Sequence, residues 1–171
     1  MKKFVLLVVL VFSMSTSVMA DDFGHEGFDA DDPTIEEMLV FALEDEVLAY
    51  STYEKIVEEF DVNKPFTNIM KAELKHQEAI IDLMEAYDIE IPQVDPSDYI
   101  SLPVSLEAAY KAGVQAEIDN IALYQAFVEK DIPEDVRQVF EYLIKGSEKH
   151  QAAFERQENR NTGFGGRRRQ E

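Results

Sequence analysis

Three glutamates and two histidines stand where helical patterning calls for apolar residues. Glu73 and His76 lie three apart in "AELKHQEA" (72–79), Glu46 and Glu117 interrupt two other apolar stripes, and His150, with Ser147 three residues before it, interrupts a fourth. Residues three apart share a helix face, so Glu73 and His76 reach toward the same side. Burying three carboxylates and two imidazoles together costs several kcal/mol per ion unless a counter-charge is present. One or two divalent cations would supply that charge and turn mutual repulsion into coordination. Taken alone, a Glu-x-x-His pair is as easily surface decoration. Four polar interruptions at one level of four helices point instead to metal ligands.

The elements that must position these residues are legible as four apolar seams. Leu39, Ala42, Glu46, Ala49, Tyr53, Ile56 and Phe60 alternate spacings of three and four, as do Phe66, Ile69, Glu73, His76, Ile80, Leu83 and Tyr87. The third seam is Leu106, Tyr110, Gly113, Glu117, Asn120, Tyr124 and Phe127, and the fourth is Val136, Phe140, Leu143, Ser147, His150 and Phe154. The spacing predicts helices over 34–60, 65–87, 105–130 and 133–158. Thr34 with Glu37 fits a capping box, and Pro133 fits a helix start. Each stripe must be buried against the others, which makes an all-α four-helix bundle over 34–158.

Loop lengths set the expected topology. Short turns at "DVNKP" and "DIPED" make two antiparallel hairpins. The middle link, 88–104, has about 17 residues and spans up to about 56 Å at roughly 3.3 Å each. A helix of about 25 residues is about 38 Å long. The link can therefore travel the whole bundle, giving two hairpins joined by one long crossover.

The hairpins also look like copies. Tyr53 follows Glu46 by seven residues and Tyr124 follows Glu117 by seven, while "KHQEA" (75–79) is matched by "KHQAA" (149–153). A duplicated Glu … His hairpin folded on a pseudo-twofold gives a two-metal site. Tyr53 and Tyr124 are expected as core aromatics that hydrogen-bond a carboxylate beside it.

Composition narrows the function classes. The chain has 171 residues and no Cys, which excludes disulfides, thiolate zinc sites, iron–sulfur clusters and thiol catalysis. Residues 1–20, "MKKFVLLVVLVFSMSTSVMA", have a basic start, a short apolar run and a small-residue cleavage pattern ending at Ala20, the signature of a secretory signal peptide. The expected mature chain begins at Asp21, is exported to a periplasm or the cell exterior, and has no stable membrane anchor. Without Lys2 and Lys3 it carries 14 basic and 35 acidic residues, a net charge of −21. Such a surface repels nucleic acid and attracts cations. Residues 21–33 read as an acidic flexible lead-in, and 159–171 as a Gly/Arg-rich solvated tail.

The helical region resembles the ferritin-like di-iron carboxylate superfamily, in particular its rubrerythrin-like branch and exported ferritin-like relatives of unknown function. That family places one Glu on each of two helices and Glu-x-x-His on each of the other two. Glu46, "ELKH" (73–76), Glu117 and His150 match, Asn120 stands where a further acid is common, and Ser147 departs from the pattern where a Glu is expected. The resemblance implies that Glu73 bridges two metals, with Glu46 and His76 on one, Glu117 and His150 on the other, and Asn120 and Ser147 as weaker candidates. It implies two iron ions, with manganese, zinc or a single ion as alternatives. The function it implies is a non-haem oxidase, peroxidase or ferroxidase acting with O2 or H2O2 and an external electron donor, in a chain that can also form homo-oligomers. The alternative is a non-enzymatic metal-binding or metal-buffering bundle.

Overall fold

The computed structural model describes residues 32–165, with side chains as far as Arg160. The expected signal peptide, most of the lead-in and the end of the tail lie outside the described residues. Four helices account for the fold: α1 Ile35–Phe60, α2 Phe66–Ala86, α3 Leu106–Val128 and α4 Glu134–Gly165.

The boundaries follow local chemistry. Thr34 caps α1: its Oγ1 accepts from Glu37 N at 3.2 Å while Thr34 N donates to Glu37 Oε2 at 2.7 Å. This reciprocal box satisfies donors that the first turn leaves free. Asp61 ends α1 in the left-handed region (φ 48°). Ser105 caps α3 by accepting from Ala108 N at 3.1 Å. The α3–α4 turn is clamped by Arg137, whose guanidinium donates to the carbonyls of Val128 and Lys130. Those are carbonyls that the end of α3 leaves without helical partners.

One boundary differs from expectation. α4 continues seven residues past Glu158, to Gly165. Residues 157–162 are Gln, Glu, Asn, Arg, Asn and Thr, with no Pro, so nothing there stops a helix. The glycines at 163 and 165 each cost about 1 kcal/mol in a helix without forbidding it.

Two hydrophobic cores show how the helices run. The first unites Leu39 and Leu43 of α1, Leu83 and Met84 of α2, Tyr124 and Phe127 of α3, and Val136 and Phe140 of α4. The second unites Tyr53 and Ile56, Phe66 and Ile69, Ala109 and Tyr110, and Phe154. The start of α1 thus meets the end of α2, the end of α3 and the start of α4, and the order reverses at the other end. α1 and α4 run one way, and α2 and α3 the other. Ile89 and Val94 of the crossover pack on the first core while Leu106 packs on the second, so the link travels the length of the bundle. Between the cores lies a polar layer.

Candidate metal centre

That layer contains every sequence-predicted ligand. Glu46, Glu73, His76, Glu117 and His150 are each at most 5% exposed, one or two from each helix, and Asn120 and Ser147 are buried with them. Helical spacing of three puts Glu73 and His76 on one face of α2, and Ser147 and His150 on one face of α4.

The geometry is nearly two-fold. His76 Nδ1 lies 3.0 Å from Glu46 Oε2 and 3.0 Å from Glu73 Oε2. His150 Nδ1 lies 3.2 Å from Glu73 Oε1 and 3.5 Å from Glu117 Oε2. Glu73 therefore presents one oxygen to each histidine, and the two imidazoles stack with centroids 5.5 Å apart. The tyrosines act across the pseudo-axis. Tyr53 of α1 donates to Glu117 Oε1 at 2.9 Å, and Tyr124 of α3 donates to Glu46 Oε1 at 2.8 Å. Gln77 Nε2 donates to the Glu46 carbonyl at 3.0 Å, tying α2 to α1 at this level.

Charge in this layer is strongly perturbed. Burial raises Glu46 well above the usual carboxylate range, and the charge of Glu73 adds to it. Burial also opposes ionisation of Glu73, but interactions with His150 and His76 outweigh it and hold Glu73 at about 2. Burial disfavours both imidazolium forms, yet contact with Glu46 and Glu73 lifts His76 to about 9. Contact with Glu117 and Glu73 lifts His150 to about 10. Glu117 is raised, chiefly by burial. Tyr53 and Tyr124 are raised well above the ordinary phenol value by burial and then by the facing carboxylates.

The donor set fits a divalent metal. Each Nδ1 faces two carboxylate oxygens, and its single proton serves both only as a shared bond. His150 Nδ1 has no aligned hydrogen bond at all. A dication between the three groups would satisfy them together. One ligand atom each from Glu73, His76 and His150 falls within a 4.8 Å cluster. These three residues would be the first candidates to hold an ion. Carboxylate and imidazole without sulfur suit iron, manganese or zinc.

Sequence reasoning missed two supporting residues. Gly146 backs His76: a Cβ there would sit 2.4 Å from the Nε2 and Cε1 atoms of that ring. Its signal was a glycine inside α4, immediately before "SEKH". Asp45, next to Glu46, is 4% exposed, although its position lies off the counted seam.

A four-helix bundle with one long crossover and a buried Glu/His layer defines the ferritin-like class. The rubrerythrin family model matches residues 37–158, and the chain belongs to that family. It is 30% identical over 138 residues to the uncharacterized protein MJ0754 of Methanocaldococcus jannaschii, covering 72% of this chain and 74% of the relative. The crystal structure of the hypothetical protein MJ0754 from Methanococcus jannaschii superposes with a TM-score of 0.68 at 27% identity, covering 79% of this chain and 85% of that one.

Proposed function

We propose that the protein holds a dinuclear metal centre, iron in the first instance, and uses it to reduce O2 or H2O2 with electrons from Fe(II) or an external donor. The observation that carries this reading is Glu73, whose two oxygens address His76 and His150 separately. Glu46 and His76 would hold one ion, Glu117 and His150 the other, and Glu73 both. Such a centre, when bound, supplies redox equivalents and positions open to small oxygen species. The chain's own residues bury the ligands, exclude bulk water with a core at each end, and fix the outer carboxylates through Tyr53 and Tyr124. Ser147 contributes no carboxylate, which leaves the His150 side less anionic than the family pattern.

The N-terminal segment supports export, so the reaction would protect or service an envelope or extracellular space. Among the described residues no helix is long and apolar enough to cross a membrane. The tight Glu73–His76–His150 trio favours a second reading, a single bound ion with a structural or buffering role.

Anaerobic Fe(II) titration followed by mixing with O2 or peroxide separates the two. Two irons per chain with rapid oxidation and a visible absorption change, both lost in Glu73→Ala, support the redox reading. One ion per chain, oxidised no faster than in buffer, supports the buffering reading instead.

A further inference from the structure

A cavity of about 150 Å³ opens between α1 and α3, beside the polar layer but outside the cluster of glutamates and histidines. It exists because the facing residues are small: Ala49 on α1 meets Ala109, Gly113 and Ala116 on α3. Gly113 is held to glycine from behind, since a Cβ there would lie 2.7 Å from the Phe154 ring. Pro103 of the crossover also lines it. The wall also carries two polar side chains that are more than nine-tenths buried, Asp45 at 4% exposure and Asn120 at 7%.

We propose that this cavity binds a small neutral organic molecule with an apolar body and one hydroxyl donor. The volume leaves room for more than a water or a diatomic gas: about 150 Å³ is the size of an apolar cavity that accepts benzene, against roughly 10–15 Å³ for one water on the same measure. Burying the apolar body against the alanines provides the driving force. The carboxylate oxygens of Asp45 and the amide carbonyl of Asn120 offer acceptors to a hydroxyl donor. An anion is disfavoured by Asp45 and by the formal net charge of −19. Tyr53 lines the same cavity and donates to Glu117, so the bound molecule would lie one side chain away from the proposed metal ligands. The inference does not depend on the metal, because the α1, α3 and crossover walls and both polar groups are present without one.

The test is a titration of metal-free and zinc-loaded full-length chain with phenol, benzene and benzylamine, read by alanine-methyl NMR. Saturable phenol shifts centred on Ala49, Ala109 and Ala116 are expected in both forms. Phenol should bind at least several-fold more tightly than benzene, and Asn120→Leu should erase that advantage. Ala116→Phe, which fills the cavity, should weaken phenol at least tenfold, with Ala49→Leu as a second plug should the first variant lose helicity. Non-saturable shifts, shifts mapping elsewhere, or undiminished binding in a folded plug variant would overturn the proposal. Tighter binding of the benzylammonium ion would overturn the neutral class. Phenol binding in the metal-free chain alongside a failed iron titration would leave the cavity standing while the redox reading falls.

Discussion

Tyr124 donates to Glu46 at 2.8 Å across the bundle, from α3 to α1. Tyr53 returns the bond from α1 to Glu117 of α3 at 2.9 Å. Each hairpin thus orients the other's outer carboxylate, which couples the two copies of the motif more tightly than packing alone. The bonds fix one oxygen of each glutamate and leave the second turned toward a histidine.

Tyr124→Phe keeps the ring and removes the donor. Glu46 Oε1 then loses its buried partner, at a cost of about 1–3 kcal/mol. For a chain of this size that lowers Tm by about 2–4 °C per kcal/mol, measurable by thermal denaturation of the metal-free form. An unchanged Tm would mean that the hydroxyl does not restrain Glu46. The raised tyrosines give a second readout. On alkaline titration, two of the seven tyrosines should ionise only when the protein unfolds.

Gly146→Ala should be harmful even though alanine is the better helix former by about 1 kcal/mol. The added methyl group would collide with a His76 ring held by two carboxylates, and the ring would have to turn. Displacing a ligand in this way typically weakens metal affinity about 10–100-fold. Competition titration with a chelator of known affinity measures it. Wild-type affinity in a folded variant would rule out the tight contact.

The pH dependence of the metal-free chain has a definite sign. His76 and His150 are raised to about 9 and 10, so their stabilising contribution is complete below the unfolded value near 6.5. It is lost as pH rises through 9 and 10. Glu73 is depressed to about 2, so its contribution is present above 4.5 and lost as pH falls toward 2. Raised Glu46 and Glu117 work in the same direction as the histidines, favouring the acidic side. Denaturant midpoints from pH 6 to 10 should therefore decline. Metal binding requires deprotonated ligands, so loading at pH 7 should release at least the two imidazole protons. Calorimetry in buffers of different ionisation enthalpy counts them.

The seams revealed the helices because period and capping residues agreed: Thr34 and Ser105 mark starts that the structure places within one residue. The same periodicity exposed Glu46, Glu73, His76, Glu117 and His150, since a charge in an apolar stripe is visible at once. Spacing within a helix says nothing about which partner lies opposite, so the crossed Tyr53–Glu117 and Tyr124–Glu46 bonds were not legible. Asp45 was missed because it lies about 100° around α1 from Glu46, and only the α1–α3 cavity makes that flank an interior one. Gly146 was missed because a helical glycine carries no sign of which ring it accommodates.

Ser147→Glu tests what the departure from the family pattern does. Ser147 is 1% exposed, three residues before His150, where a carboxylate would share the His150 face. Without metal the added group is a further buried acid in a layer that already holds Glu73 and Glu117, and it is larger than serine. Overpacking costs about 1–3 kcal/mol, and burial of the acid adds to it. With metal bound, the same carboxylate would be available as an additional ligand beside His150. The metal-free variant should therefore melt below wild type, while its metal-bound form should gain more on loading than wild type does. Its bound metal should also resist a chelator better. Melting curves with and without Fe(II) under anaerobic conditions read both effects. An equal metal-induced gain in the two proteins would show that position 147 does not face a bound ion.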